Sequence, residues 1–105
     1  MVYISLATPV RDFDKVRIKE ISFFDTNGEP NLEKALSFKY QVYKKDEGRY
    51  ISFYDRHINI TKQDFINTSM SSPSGNLSAY DFICKKLLQY LIDESLEIGT
   101  IEVNQ

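Results

Sequence analysis

Leu36-Ser37-Phe38-Lys39-Tyr40-Gln41-Val42-Tyr43-Lys44 alternates without a break. Leu36, Phe38, Tyr40 and Val42 fall on one side; Ser37, Lys39, Gln41 and Tyr43 fall on the other. That is the period of two of a half-buried β-strand. Working outward, Lys45-Asp46-Glu47-Gly48 reverses the chain, with Gly48 suited to a left-handed backbone position. The return strand starts at Arg49. Read as a four-residue loop, this turn sets Val42 opposite Ile51 and Tyr40 opposite Phe53, apolar against apolar. A three-residue loop would set Val42 against Ser52, which no shared core accepts. The four-residue register also places Tyr43 opposite Tyr50, Gln41 opposite Ser52 and Lys39 opposite Tyr54 on the outer face.

Two breaks in parity flank this hairpin. In the run 15–24, Val16 and Ile18 share one face but Ile21 and Phe23 have the opposite parity, so a bulge is expected near Lys19–Glu20. In the return strand Ile51 and Phe53 disagree with Ile58 and Ile60, which puts a second bulge or corner at Tyr54-Asp55-Arg56-His57. Residues 2–8 alternate as a further strand, stopped by Pro9. Asp25-Thr26-Asn27-Gly28-Glu29-Pro30 reads as a turn, because Asn-Gly supplies positive φ and proline blocks a strand. Two kinked long strands in a small sheet point to a curled, barrel-like layer.

From Lys62 the chain turns polar, and 68–76 reads as a surface loop. A helix then begins. Ser78 is its N-cap, with Asp81 completing the capping pattern. Leu77 and Phe82 are spaced as a hydrophobic staple. At 100° per residue, Tyr80, Ile83, Cys84, Leu87, Leu88 and Leu91 make one apolar stripe, opposed by Asp81, Lys85, Gln89 and Asp93. Gly99 ends the pattern, and Ile101 and Val103 form a short closing strand. The expected fold is α+β: residues 1–105 as a single β-rich domain, a curled antiparallel sheet of about five strands packed by one C-terminal helix at about 78–95.

Composition bounds function by exclusion. The 105 residues hold seven Phe and seven Tyr and carry a net charge of −2, so no global positive field recruits nucleic acid or an acidic membrane. No segment approaches the roughly 18 apolar residues of a membrane span. The N-terminal stretch lacks a basic segment followed by a long apolar run, so a cytoplasmic, unsecreted chain is expected. The one cysteine, Cys84, lies in the helical stripe, where a thiol is packing rather than a nucleophile. The one histidine, His57, sits at the expected strand corner. Neither paired His or Cys ligands, nor a calcium loop with proper spacing, nor a glycine-rich phosphate cradle occurs. No catalytic, metal or cofactor residue is therefore assigned.

The outer face of the central hairpin stands out. Tyr43, Tyr50 and Tyr54, interleaved with Lys39 and Arg56, have the composition of a partner interface, since Tyr and Arg are enriched among interface anchors. The same residues could stack single-stranded bases, the alternative reading of a nucleic-acid-binding accessory protein. In outline the chain, short, β-rich, acidic and poor in cysteine, resembles small structural proteins of tailed-bacteriophage virions. That resemblance covers the whole chain without a motif. It implies a non-catalytic subunit of a head, collar, fibre or tail, with other protein subunits as partners and copies arranged by symmetry.

Overall fold

A computed structural model describes residues 1–23, 36–68 and 77–103. Its order is β1 (Val2–Val10), β2 (Phe13–Phe23), β3 (Leu36–Asp46), β4 (Arg49–Ile60), α1 (Lys62–Asn67), α2 (Ala79–Asp93) and β5 (Gly99–Val103). The strands form one antiparallel sheet in the order β4-β3-β2-β1-β5. Four strands meander, the helices cross the front of the sheet, and β5 returns beside β1. The sheet is open rather than barrel-like: β4 and β5 are its edges. The turn expected at 25–30 and most of the loop expected at 68–76 lie outside the described residues.

The first parity break is where the sequence puts it. Ile18 pairs with Tyr40 and Glu20 with Lys39, leaving Lys19 as the extra residue of a bulge. Ile18 and Ile21 thereby both face the core. Both also belong to it in the structure, Ile18 buried and Ile21 packed at its margin.

The hairpin register needs correcting. The connection is a two-residue turn, Glu47-Gly48, with Asp46 opposite Arg49. Both turn residues have positive φ, 49° and 80°. Such a turn matches the right-handed twist of its strands, which a four-residue loop is not needed to supply. Tyr43 consequently faces Ser52, and Lys45 faces Tyr50. The apolar matching that favoured a longer loop is recovered by the second bulge, which lies at Phe53, upstream of the expected corner. Beyond it Val42 faces Tyr54, Gln41 faces Asp55, Tyr40 faces Arg56 and Lys39 faces His57, leading to Phe38 opposite Ile58 and Leu36 opposite Ile60.

α2 begins as expected: the Ser78 hydroxyl accepts the Asp81 N–H at 3.1 Å. Its buried arc is rotated from the expected stripe. Cys84, Lys85, Leu87, Leu88 and Leu91 are buried, whereas Tyr80 is exposed. Leu77 packs against the core margin while Phe82 stays exposed. α2 lies on β1, β2 and β5, and the short α1 packs on α2, with Lys86 Nζ 4.7 Å from the Phe65 ring centre. α1 forms where the sequence turns polar and no helix is expected. Thr61 caps it by accepting the Asp64 N–H, a side-chain cap hidden in a polar stretch of sequence. No helix among the described residues is long and apolar enough to cross a membrane.

Helix α2 ends in a Schellman motif. Leu96 N–H donates to Leu91 C=O at 2.9 Å and Ser95 N–H to Ile92 C=O at 3.0 Å, with Ser95 at φ 57°. This turn swings Leu96, Glu97 and Ile98 over the end of the sheet before β5 starts. Ala7 N–H then donates to Ile98 C=O at 2.9 Å, extending the β1–β5 pairing by one bond.

Candidate functional site

The five residues expected on one outer surface are divided between two faces. On the face away from α2, Tyr43 is 1% exposed and Tyr50 39%. Tyr43 is enclosed by its own chain: its ring centre is 5.2 Å from that of Tyr50, and the Arg17 guanidinium lies 5.5 Å from it and 4.1 Å from Tyr50. Arg17 Nε donates to Gln41 Oε1 at 2.8 Å, which holds the guanidinium in that stack. Tyr50 lies back across the sheet, its hydroxyl 3.7 Å from Met1 Sδ. Lys39, also on this face, pairs with Glu20 at 3.7 Å, and Lys19 pairs with Asp55 at 3.1 Å. The cations here are already engaged within the chain.

Tyr54 and Arg56 belong to the helix face instead. The Phe53 bulge is the reason. Two successive residues, Phe53 and Tyr54, come to the front, where regular alternation would have sent one of them behind. Their rings meet at 5.3 Å, and Phe53 meets Phe13 at 5.0 Å, forming an aromatic row at the end of the sheet. Val42 opposite Tyr54, Leu6 and Val10 at the end of β1, and Leu96 and Ile98 after the helix complete a cleft of about 230 Å³. Val10, Phe53, Tyr54 and Ile98 are all exposed around it, Ile98 by 68%.

One carboxylate lines this apolar cleft. Glu97 is only 9% exposed, and the Tyr54 hydroxyl donates to its Oε1 at 2.5 Å. Burial and the negative charge of Glu97 together push the Tyr54 hydroxyl well above the ordinary phenol range. Tyr40, opposite Arg56, is fully buried, and its hydroxyl lies beside Arg56 and Glu97 without a well-formed hydrogen bond to either. Its pKa is raised by burial first and by Glu97 second. A buried hydroxyl left unpaired costs about 1–3 kcal/mol. Tyr40→Phe is therefore expected to raise stability by about 1 kcal/mol, read as an increase in the urea midpoint at unchanged slope; a fall would mean the hydroxyl is satisfied in solution.

The cysteine and histidine are on opposite sides of the sheet. Cys84 is buried under α2, where burial pushes its thiol up to about 11. His57 is exposed on the back of β4, opposite Lys39. Asp55, two residues from His57, is held below the usual carboxylate range, first by its hydrogen bond from Lys19. No group of three or more His, Cys, Asp or Glu among the described residues is placed to hold a metal ion.

Sequence reading missed Phe53 and Glu97 as site residues. The parity break between Ile51 and Ile58 contained the signal for Phe53, since a bulge brings two neighbours onto one face. Glu97 had a weaker one: a lone acid between Leu96 and Ile98, just past the helix. Compared with known proteins, the chain matches no family model, no curated protein and no solved structure.

Proposed function

We propose that this chain is a non-catalytic subunit of a larger protein assembly, joined to a second copy of itself through the apolar end of its sheet. The carrying observation is that three separated segments deliver exposed apolar side chains to one place: Val10, the β4 residues Phe53 and Tyr54, and Ile98. Contiguous exposed apolar surface marks an interaction site, whereas scattered single residues do not. An apolar patch is complementary to itself, and two-fold contacts between identical chains are the commonest soluble assembly. The bulge and the charges Asp55 and Arg56 blunt edge-to-edge pairing by β4, so the face of the patch, not the strand edge, is the docking surface. Such a subunit agrees with the resemblance to tailed-phage virion proteins, which implies repeated copies in a head, collar, fibre or tail.

Sedimentation measurements test this. The wild-type chain is expected above its monomer mass of 12.2 kDa. The Phe53→Ser, Ile98→Ser double variant is expected at monomer mass with an unchanged circular dichroism spectrum. Losing two anchors of about 1–2 kcal/mol each weakens association by tenfold or more. A wild type that stays monomeric at every concentration would refute the reading.

Single-stranded nucleic acid on the back face is the alternative occupant. The enclosure of Tyr43 and the internal pairing of Lys15, Lys19 and Lys39 count against it. Oligonucleotide binding that falls steeply with salt would favour it.

A further inference from the structure

We propose that the cleft at the end of the sheet is a receptor for the charged end of an arginine or lysine side chain, with Glu97 as the recognising group. The inference deepens the docking reading and rests on it only for which chain supplies the cation.

Glu97 is nine-tenths buried at the cleft, yet its only side-chain partner among the described residues is the Tyr54 hydroxyl. A carboxylate accepts at about four lone-pair sites, and one neutral donor leaves most of that capacity unused. None of the ion pairs among the described residues reaches it; even Arg56, on the same face, is not within 4 Å. Buried charge is costly unless it is paired, so the site favours a ligand that brings both positive charge and N–H donors. The fully buried Tyr40 hydroxyl lies beside both Glu97 and Arg56 without a well-formed hydrogen bond to either.

The walls fix the rest of the ligand. Leu6, Val42 and Leu96 are apolar and suit a methylene stem. The Phe53 and Tyr54 rings offer faces for a cation. Anions are repelled by Glu97, and a neutral alkyl chain would gain the walls but leave the carboxylate unpaired. A single carboxylate is too few ligands for a metal ion. An alkyl stem ending in guanidinium or ammonium satisfies floor and walls together.

The probes are n-butylguanidinium, n-butylammonium and n-butanol, titrated against the wild-type chain and followed by the backbone amide resonances of residues 95–98. Both cations are expected to bind about tenfold or more tightly than butanol. Glu97→Gln should weaken the cations by about tenfold and leave butanol unchanged. Tyr54→Phe keeps the carboxylate and removes its competing donor, so cation binding should be equal or tighter. Butanol binding as well as the cations, an unaffected Glu97→Gln, or loss of binding in Tyr54→Phe would each overturn the proposal. Binding is read at the cleft of a single chain, so a wild type that is monomeric but takes the guanidinium supports this site while refuting self-docking.

Discussion

Gly99→Ala is expected to destabilise the chain by about 3–4 kcal/mol, the range reached when substitution forces backbone to move. A Cβ on Gly99 would lie 2.2 Å from the Ser5 carbonyl oxygen and 2.6 Å from Ile4 Cγ2. The first neighbour is backbone in the middle of β1 and cannot rotate away; the second is a core side chain that is fully buried. β5 must therefore retreat from β1. The pairing at risk runs from Leu6–Gly99 to Val2–Val103 and holds the edge of the sheet that α2 covers. Gly48→Ala makes a useful contrast. Its Cβ meets nothing within 4 Å, so only the strain at φ 80° remains, about 1–2 kcal/mol. Urea midpoints of the two variants distinguish steric clash from backbone strain; equal losses would show that β5 yields freely. Because Gly99 follows Ile98 directly, Gly99→Ala should also shift the amide resonances of the cleft, which Gly48→Ala should leave in place.

Most of the fold is legible in the residues, and the failure that displaced the candidate site has one cause. Alternation identifies β1 to β4, Ser78 marks the helix start, and Ile101 and Val103 mark β5, because each depends on neighbours close in sequence. The Lys19 bulge is legible for the same reason: Val16, Ile18, Ile21 and Phe23 disagree in parity within one strand. Register between strands is not local. Val42 opposite Ile51 satisfies apolar matching as well as the true arrangement does, and the choice rests on whether Glu47 accepts a left-handed conformation, which its side chain does not advertise. The two-residue register error alone leaves every side chain on its own face; the bulge at Phe53, one step upstream of where parity placed it, is what carries Tyr54 and Arg56 to the other one. The candidate surface inherits that error. Tyr43 and Tyr50 lie together, but Tyr43 is spent on internal packing, while the apolar surface that is open comes from Val10, Phe53 and Ile98. Those three are far apart in sequence and meet only once the Schellman turn and the bulge have both formed.

Tyr43 sits where substitution has a large measurable effect. It faces away from α2, where a sheet with one helical layer normally exposes its residues to water, yet it is 1% exposed. Its ring is covered by Arg17 and Tyr50, so the back of the sheet carries a small second core built from aromatic and cationic side chains. Tyr43→Ala removes the ring beneath that cluster and is expected to cost about 3–4 kcal/mol, the scale for truncating a buried aromatic. Tyr50→Ala, on a half-open ring, should cost about 1 kcal/mol, the scale of an aromatic pair or an exposed cation–π contact. A Tyr43 interface anchor would behave in the opposite way, leaving monomer stability untouched and weakening association. The hydroxyl offers a second readout. Burial, aided by the neighbouring Tyr50, raises its pKa from 10.0 to about 12, against the opposing pull of Arg17. A folded-state value above the unfolded one favours the neutral phenol, so this contribution is whole below about pH 10 and is lost as pH rises through about 12. Wild type should therefore lose urea stability across that interval, with phenolate absorbance of the buried ring appearing together with unfolding. Tyr43→Phe keeps the ring but has no proton to lose, so its stability should fall less over the same interval. An identical decline in both would show that the hydroxyl titrates while the chain remains folded.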